Sequence, residues 1–152
     1  GQGTARLGPG RAAEARPLFE AAVAAQPGDL DALLGLANVV LLTEGVAAGR
    51  TSDRLRNPSN VPRPWAAALV KANAGKQARS VEGFVADLGD KIGVLRPIAQ
   101  RAMCAGCHGP AEALSPAVRS VLSDRYPVDR AVDFKEGEIR GWFWVEMPKR
   151  PQ

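Results

Sequence analysis

The stretch Ile139-Arg140-Gly141-Trp142-Phe143-Trp144-Val145-Glu146-Met147 decides the fold class. Its residues alternate in character, with Ile139, Gly141, Phe143, Val145 and Met147 on one side and Arg140, Trp142, Trp144 and Glu146 on the other. Because successive side chains of a strand point to opposite faces of a sheet, the pattern predicts a strand with one apolar face and one partly aromatic face. Pro148 is expected to end this strand.

Further elements are predicted upstream of this strand. Residues 81–86 and 91–98 are short, rich in Val, Ile and Phe, and separated by Leu88-Gly89-Asp90, which predicts a β-hairpin closed by Pro97. Residues 65–74 and 115–123 are predicted helices, the first starting at Pro64 and the second capped by Ser115. Helices interleaved with hairpin strands predict an α+β fold with an antiparallel sheet.

The N-terminal third is predicted to be helical. Residues 11–25 and 29–45 carry apolar residues at helical spacing, and Pro27-Gly28-Asp29 separates them, so they predict a helical hairpin. Part of it has the spacing of a tetratricopeptide repeat, but a solenoid needs at least three repeats, which favours a simple packing hairpin. The predicted division is a mobile leader over residues 1–10, the hairpin over 11–45 and a second domain over 46–152.

Composition excludes some classes of function. The 152 residues include 20 Lys and Arg and 16 Asp and Glu, a net charge of +4, which does not indicate a nucleic-acid partner. No stretch approaches the roughly 20 apolar residues of a transmembrane span. The sequence begins at Gly1 without a methionine, as expected if a signal peptide or anchor has been removed, although trimming would give the same start.

The motif that carries chemistry is Cys104-Ala105-Gly106-Cys107-His108. Two cysteines three positions apart can form thioethers with the two vinyl groups of a haem, and the adjacent histidine can bind the iron. A thioredoxin-like pair would be expected after a strand in a βαβ unit, and none is predicted. A zinc site would need a second ligand pair, but these are the only Cys and His residues of the chain. The motif therefore predicts one covalent haem c per chain, with His108 as the proximal iron ligand.

The haem prediction has two consequences. Covalent haem attachment takes place outside the cytoplasm, so we expect a periplasmic or otherwise extracytoplasmic protein, either free or membrane-anchored before processing. Residues 46–64 are polar, contain three prolines and carry arginines at positions 50, 54, 56 and 63. They predict either a solvated connecting loop or a set of guanidiniums, Arg50, Arg54 and Arg56 among them, that bind the haem propionates.

Several short motifs together resemble a family of bacterial extracytoplasmic haem c domains with a PAS-like fold. They are Gly49-Arg50-Thr51-Ser52, Leu55-Arg56-Asn57-Pro58 with Asn60, Pro97, the block from Cys104 to Gly109, Ser115-Pro116, Tyr126-Pro127 with Asp129 and Ala131, and Gly141-Trp142-Phe143 with Val145. The resemblance extends over residues 46–147 in the family's order. It implies a haem held against a small antiparallel sheet, in a redox or sensing role.

The sequence alone does not identify the sixth iron ligand. Some members of the family that this sequence resembles ligate the iron with a cysteine from the N-terminal helical part. Residues 11–44 of this sequence contain no Cys, His or Met. Met147 would give a His/Met iron, although methionines in strands usually serve packing. Met103, a lysine, Asn38 and Tyr126 are weaker candidates. An open or weakly held position is the remaining alternative and is favoured narrowly.

Four functions are consistent with these features. The first is a monohaem c-type cytochrome domain for single-electron transfer or redox sensing, with a redox partner protein. The second is sensing of a diatomic gas such as NO or CO at an open sixth position. The third is peroxide or nitrogen-oxide catalysis, which ranks lowest because it needs a distal acid or base and the only histidine is committed. The fourth is a haem-bearing assembly subunit of a larger, membrane-associated electron-transfer complex.

Overall fold

The computed structural model describes residues 9–149, and its fold is α+β with an antiparallel four-stranded sheet. In chain order the elements are α1 (Pro9–Ala25), α2 (Leu30–Thr43), β1 (Ala47–Thr51), α3 (Pro64–Ala72), β2 (Phe84–Asp87), β3 (Lys91–Ala99), α4 (Ala105–His108), α5 (Pro116–Arg125) and β4 (Ile139–Pro148). The strand order in the sheet is β1-β4-β3-β2. The predicted fold class is confirmed. In the described part of the chain, none of the helices combines the length and the apolar character that crossing a membrane requires.

The described chain divides into two compact units. Residues up to Ala48 and from Glu146 onwards form the first unit, and Gly49–Val145 form the second. The leader predicted over residues 1–10 lies mostly outside the described residues, and α1 already begins at Pro9.

The predicted helical hairpin of the first unit is present as α1 and α2. Ala12 and Val39 are fully buried in it. A side chain at Gly35 would collide with the ring of Phe19, so the glycine permits the close approach of the two helices. The carboxylate of Asp29 caps α2 by accepting hydrogen bonds from the backbone N–H groups of residues 31 and 32 at 2.9 and 3.1 Å.

The predicted β-hairpin is formed by β2 and β3. Phe84 pairs with Leu95 and Asp87 with Ile92, and Gly89 has a φ of 88° in the turn between them. The prediction that Pro97 closes β3 was wrong, because the strand continues to Ala99. Pro97 lies beyond the residues that pair with β2, where its missing N–H interrupts no bond of that ladder.

The core of the second unit lies between α3 and one face of the sheet. Its fully buried members are Ala66, Val70, Leu95, Ile139 and Trp142, and Trp65, Leu69, Phe84 and Trp144 pack against them. Ala66 and Val70 are one turn apart on α3, so they face the sheet together. The predicted helices at 65–74 and 115–123 are confirmed as α3 and α5, and the Ser115 hydroxyl caps α5 by accepting from the N–H of Val118 at 3.3 Å.

The strict alternation predicted for β4 was wrong. Ile139 and Trp142 both belong to the core although they are three positions apart, whereas Phe143 is 52% exposed. Arg140 and Gly141, which lie between them, both line a cavity outside the core. The alternation is therefore shifted by one residue at this point, as it is in a β-bulge. The aromatic face of the strand is the core face.

Strand β1 was not predicted, because residues 46–64 were interpreted either as a connecting loop or as a source of propionate-binding arginines. The sequence Ala47-Ala48-Gly49-Arg50-Thr51 has little intrinsic preference for a strand. A Cβ at Gly49 would lie 2.7 Å from Cζ2 of Trp144, so the glycine makes room for this aromatic side chain of β4. The strand therefore depends on its neighbour in the sheet rather than on local propensity.

Candidate cofactor site

The Cys-x-x-Cys-His motif forms a single compact turn directly after β3. A short 3-10 turn over Ala102–Cys104 leads into α4, and the N–H of Gly109 closes that helix on the carbonyl of Ala105 at 2.9 Å. Cys104 is partly exposed, Cys107 is exposed, and both are free thiols. The motif occupies one turn, and both sulfurs are accessible to a reaction partner.

The imidazole of His108 is oriented by a backbone carbonyl. Its Nδ1 lies 2.7 Å from the carbonyl oxygen of Ala131. A carbonyl can only accept a hydrogen bond, so Nδ1 carries the proton, and Nε2 of the neutral ring is left with a lone pair. Burial lowers the pKa of His108, the bond to Ala131 opposes this shift, and the charges of Arg56 and Arg140 lower the pKa further. The neutral ring is the form that binds a metal ion.

A cavity of about 260 Å³ opens beside His108. It lies among the end of β1, the segment that follows β1, and the start of β4. Its polar lining is rich in arginine, and it includes the following side chains: Arg50, Ser52, Arg54, Arg56, Asn57, Asn60, His108, Tyr126 and Arg140. Among the described residues, no carboxylate is part of this lining. The three arginines predicted as propionate partners and the predicted iron ligand therefore share one cavity.

Arg56 holds the segment that orients the histidine. Its Nε donates to Asp129 at 2.9 Å, and its Nη2 donates to the carbonyls of Cys107 and Ala131. The other carboxylate oxygen of Asp129 accepts from the N–H of Ala131 at 2.8 Å. The Arg56 and Asp129 side chains are only 17% and 12% exposed. This ion pair therefore fixes the position of the Ala131 carbonyl and ties it to the haem-motif turn.

Arg54, two positions before Arg56, is likewise bound to other groups of the protein. Its guanidinium forms an ion pair with Glu138 and donates to the carbonyl of Val132 at 3.0 Å. It also lies over the ring of Phe134 at 3.6 Å from the ring centroid. Glu138 in turn accepts from the N–H of Lys135 at 2.9 Å. The donors of Arg54 are thus largely used by the protein itself.

Arg50 and Arg140 differ from this pair. Arg50 is exposed at the cavity, and no carboxylate partner accompanies it within the described chain. Nη1 of Arg140 lies 3.4 Å from Nε2 of His108, and its Nε is buried without a hydrogen-bond partner. Sequence reasoning missed Arg140, although a lone cation inside an apolar and aromatic strand was a signal that could have identified it.

The proposed distal ligands have different surroundings. Tyr126 lines the cavity. Met147 is 36% exposed and Met103 is 86% exposed, and Asn38 is exposed on α2. No methionine, cysteine or lysine belongs to the cavity lining among the described residues. Ligation by any of these residues stays a prediction.

The residues fit a covalently attached haem. The turn presents two free thiols, and the imidazole that lines the cavity keeps an unprotonated nitrogen. The guanidinium of Arg140 lines the same cavity and has no described carboxylate partner. No group of three or more His, Cys, Asp or Glu residues that could hold a bare metal ion exists within residues 9–149.

Fold and site together define a class: an α+β domain of PAS-like fold in which a Cys-x-x-Cys-His turn adjoins an arginine-lined cavity. The family model Tll0287-like (Tll0287) matches residues 31–148, and the chain belongs to that family. A crystal structure of the cyanobacterial haem protein Tll0287 is similar in fold, with a TM-score of 0.58 and 24% identity over 74% of this chain and 67% of that chain. None of the curated proteins compared with the chain matched it.

Proposed function

We propose that this chain is a haem-binding domain that carries one covalent haem c and serves in single-electron transfer or redox sensing. Cys104 and Cys107 would hold the haem through thioether bonds, and Nε2 of His108 would bind its iron. The haem supplies the one-electron chemistry between ferric and ferrous iron. The similarity in fold to a cyanobacterial haem protein supports the proposal.

One observation carries this proposal: the bond between Nδ1 of His108 and the carbonyl of Ala131. A metal-binding histidine almost always donates its other ring N–H to an acceptor of this kind, which fixes the tautomer and the ring orientation and raises the basicity of the ligating nitrogen. The Ala131 segment is itself held by the Arg56–Asp129 ion pair, so the ring orientation is fixed and Nε2 is the nitrogen left to bind iron.

The protein's own residues would set the redox properties. The strength of the bond to Ala131 controls the electron donation of the imidazole, and the arginines control the charge around the haem. Positive charge near the iron favours the ferrous state, because reduction adds one negative charge. We assign no enzymatic step to this domain.

A second candidate function is binding of a diatomic gas at an open sixth position. The observation that favours it is the composition of the cavity lining, which offers hydroxyl, amide and guanidinium groups but no thioether or thiolate among the described residues. Such groups bind ferrous iron weakly and can donate hydrogen bonds to a bound gas. Tyr126 and Asn60 are the candidates for that donation.

We also propose a location and a partner for this domain. Thioether attachment of haem takes place outside the cytoplasm, so we place the protein in the periplasm or another extracytoplasmic compartment. Its partner would be a redox protein or a larger membrane-associated complex. Fractionation of the native organism tests the location, and recovery of the protein in the cytoplasmic fraction would contradict it.

The experiment that tests the proposed function is expression together with a haem c maturation system, followed by mass measurement of the denatured protein. The expected mass includes one haem. Cys104→Ala and Cys107→Ala should each leave at most one thioether bond, which shifts the absorption bands of the reduced haem. Cys104→Ala combined with Cys107→Ala should leave no covalent haem. A mass without haem in the unaltered chain would overturn the proposal.

A further inference from the structure

The cavity carries positive charge that the protein does not neutralise. Four arginines line it, and two of them are paired with carboxylates, Arg54 with Glu138 and Arg56 with Asp129. Arg50 and Arg140 form no ion pair with any described carboxylate. Two guanidinium charges are thus left facing a cavity whose described lining contains no acidic residue.

Of these two arginines, Arg140 has the less well satisfied guanidinium. Its Nε is buried and has no hydrogen-bond partner, and its Nη1 lies 3.4 Å from Nε2 of His108, which is too long for a strong hydrogen bond. The guanidinium of Arg140 lines the cavity, and no described carboxylate neutralises its charge. An anion inside the cavity would supply that missing partner.

We propose that Arg140 and Arg50 bind the two propionate carboxylates of the haem. This inference rests on the proposed function. The number of unneutralised guanidiniums equals the number of carboxylates that a haem brings, and the planar guanidinium matches a carboxylate with two parallel hydrogen bonds. The guanidinium of Arg140 cannot stay beside Nε2 once that nitrogen binds iron, and a propionate gives it a new partner.

Arg54 and Arg56 then have a different task. Each already donates to one carboxylate and to backbone carbonyls, so few of their donors remain for a propionate. They hold the segment that carries the carbonyl of Ala131. The four cavity arginines thus divide into two that position the histidine and two that meet the cofactor.

The test uses the haem-loaded protein and the substitutions Arg140→Gln, Arg140→Lys and Arg50→Gln. Arg119→Gln is the matched control. Arg119 is exposed on α5 and does not line the cavity, so this substitution removes the same charge away from the site. Two quantities are measured: the propionate bending bands in the resonance Raman spectrum and the reduction potential. Arg50 is exposed, so its variant is expected to fold even if Arg140→Gln does not.

We expect the propionate bands to shift in Arg140→Gln and in Arg50→Gln but not in the control. The equilibrium constant for reduction should fall by about fivefold to tenfold in each cavity variant, tenfold being 59 mV for one electron. Arg140→Lys should recover most of the potential, because it keeps the charge. If haem is attached but the cavity variants match Arg119→Gln in both measurements, the propionate assignment is wrong while the haem function stands. Absence of haem in the unaltered chain as well as in every variant would overturn the proposed function itself.

Discussion

Nδ1 of His108 and the carbonyl oxygen of Ala131 are 2.7 Å apart, although 23 positions separate the two residues in sequence. The contact is supported on both sides. The N–H of Phe134 donates to the carbonyl of His108 at 3.1 Å, and the N–H of Asp133 donates to the carbonyl of Gly109 at 2.8 Å. The segment after α5 therefore docks along the haem-motif turn, and the orientation of the histidine follows from that docking.

Asp129→Asn should weaken this arrangement. The substitution removes the charge of a mostly buried ion pair with Arg56 but keeps an oxygen that can accept from the N–H of Ala131. We expect the free energy of unfolding to fall by about 2 kcal/mol in denaturant titrations. We also expect the reduction potential of the haem-loaded protein to rise, because a poorly held carbonyl makes the imidazole a weaker electron donor.

The matched control for that variant is Asp124→Asn, at an exposed position on α5. It should change the free energy of unfolding by less than about 0.5 kcal/mol and leave the potential unaltered. If Asp129→Asn behaved like this control, the Arg56–Asp129 pair would not position the histidine.

Trp142→Ala tests the interrupted alternation of β4. Trp142 is fully buried in the core, so we expect its truncation to lower the free energy of unfolding by about 3 to 5 kcal/mol. Phe143→Ala, at the neighbouring and half-exposed position, should cost about 1 kcal/mol or less. Both values come from denaturant titration. A larger loss for Phe143→Ala than for Trp142→Ala would restore the strict alternation and contradict the fold.

Local signals predicted the parts of the fold that depend on neighbouring residues. The helix starts at Pro64 and Pro116, the hairpin turn at Gly89 and the turn of Cys104 to His108 are all set within a few positions of the chain. Periodicity could not reveal the shift in β4, because the side that each residue faces depends on the strands and helices that pack against it. Strand β1 could not be predicted for the same reason, since it lies beside β4 and its own sequence has little strand preference.

In the site, too, local features could be predicted from the sequence and long-range contacts could not. The two cysteines, the histidine and Arg50 could be identified from residue type and spacing, and Arg50, Arg54 and Arg56 do line one cavity with His108. The roles of these arginines could not be separated, because their partners Glu138 and Asp129 lie more than 70 positions away in sequence. Arg140 enters the site only because the alternation of its strand shifts beside it.

Gly49→Ala tests the account of β1. The added Cβ would lie 2.7 Å from the indole of Trp144, so either the strand or the ring must move. We expect the free energy of unfolding to fall by about 1 to 3 kcal/mol in denaturant titrations. Gly28→Ala is the control, since a Cβ there meets nothing within 4 Å, and it should be neutral or slightly stabilising. Equal stability of the two variants would show that Gly49 is not needed for close packing.

Met147→Leu and carbon monoxide together test the sixth ligand. Because no thioether belongs to the described cavity lining, we expect the reduced haem-loaded protein to bind carbon monoxide and Met147→Leu to leave its absorption spectrum unchanged. A methionine–iron charge-transfer band in the oxidised protein that disappears in Met147→Leu would identify that residue as the ligand instead. A spectrum unaffected by carbon monoxide would favour electron transfer with a strong sixth ligand over gas binding.

The central claim is that Cys104 and Cys107 bind one haem covalently beside His108. The most direct test uses protein that is expressed together with a haem c maturation system and then purified. The protein is treated with acidified acetone, and the mass of the precipitated chain is measured. We predict that the red colour stays with the polypeptide and that the mass exceeds that of the chain alone by one haem. Release of all the colour into the acetone, with a mass equal to that of the bare polypeptide, would contradict the account.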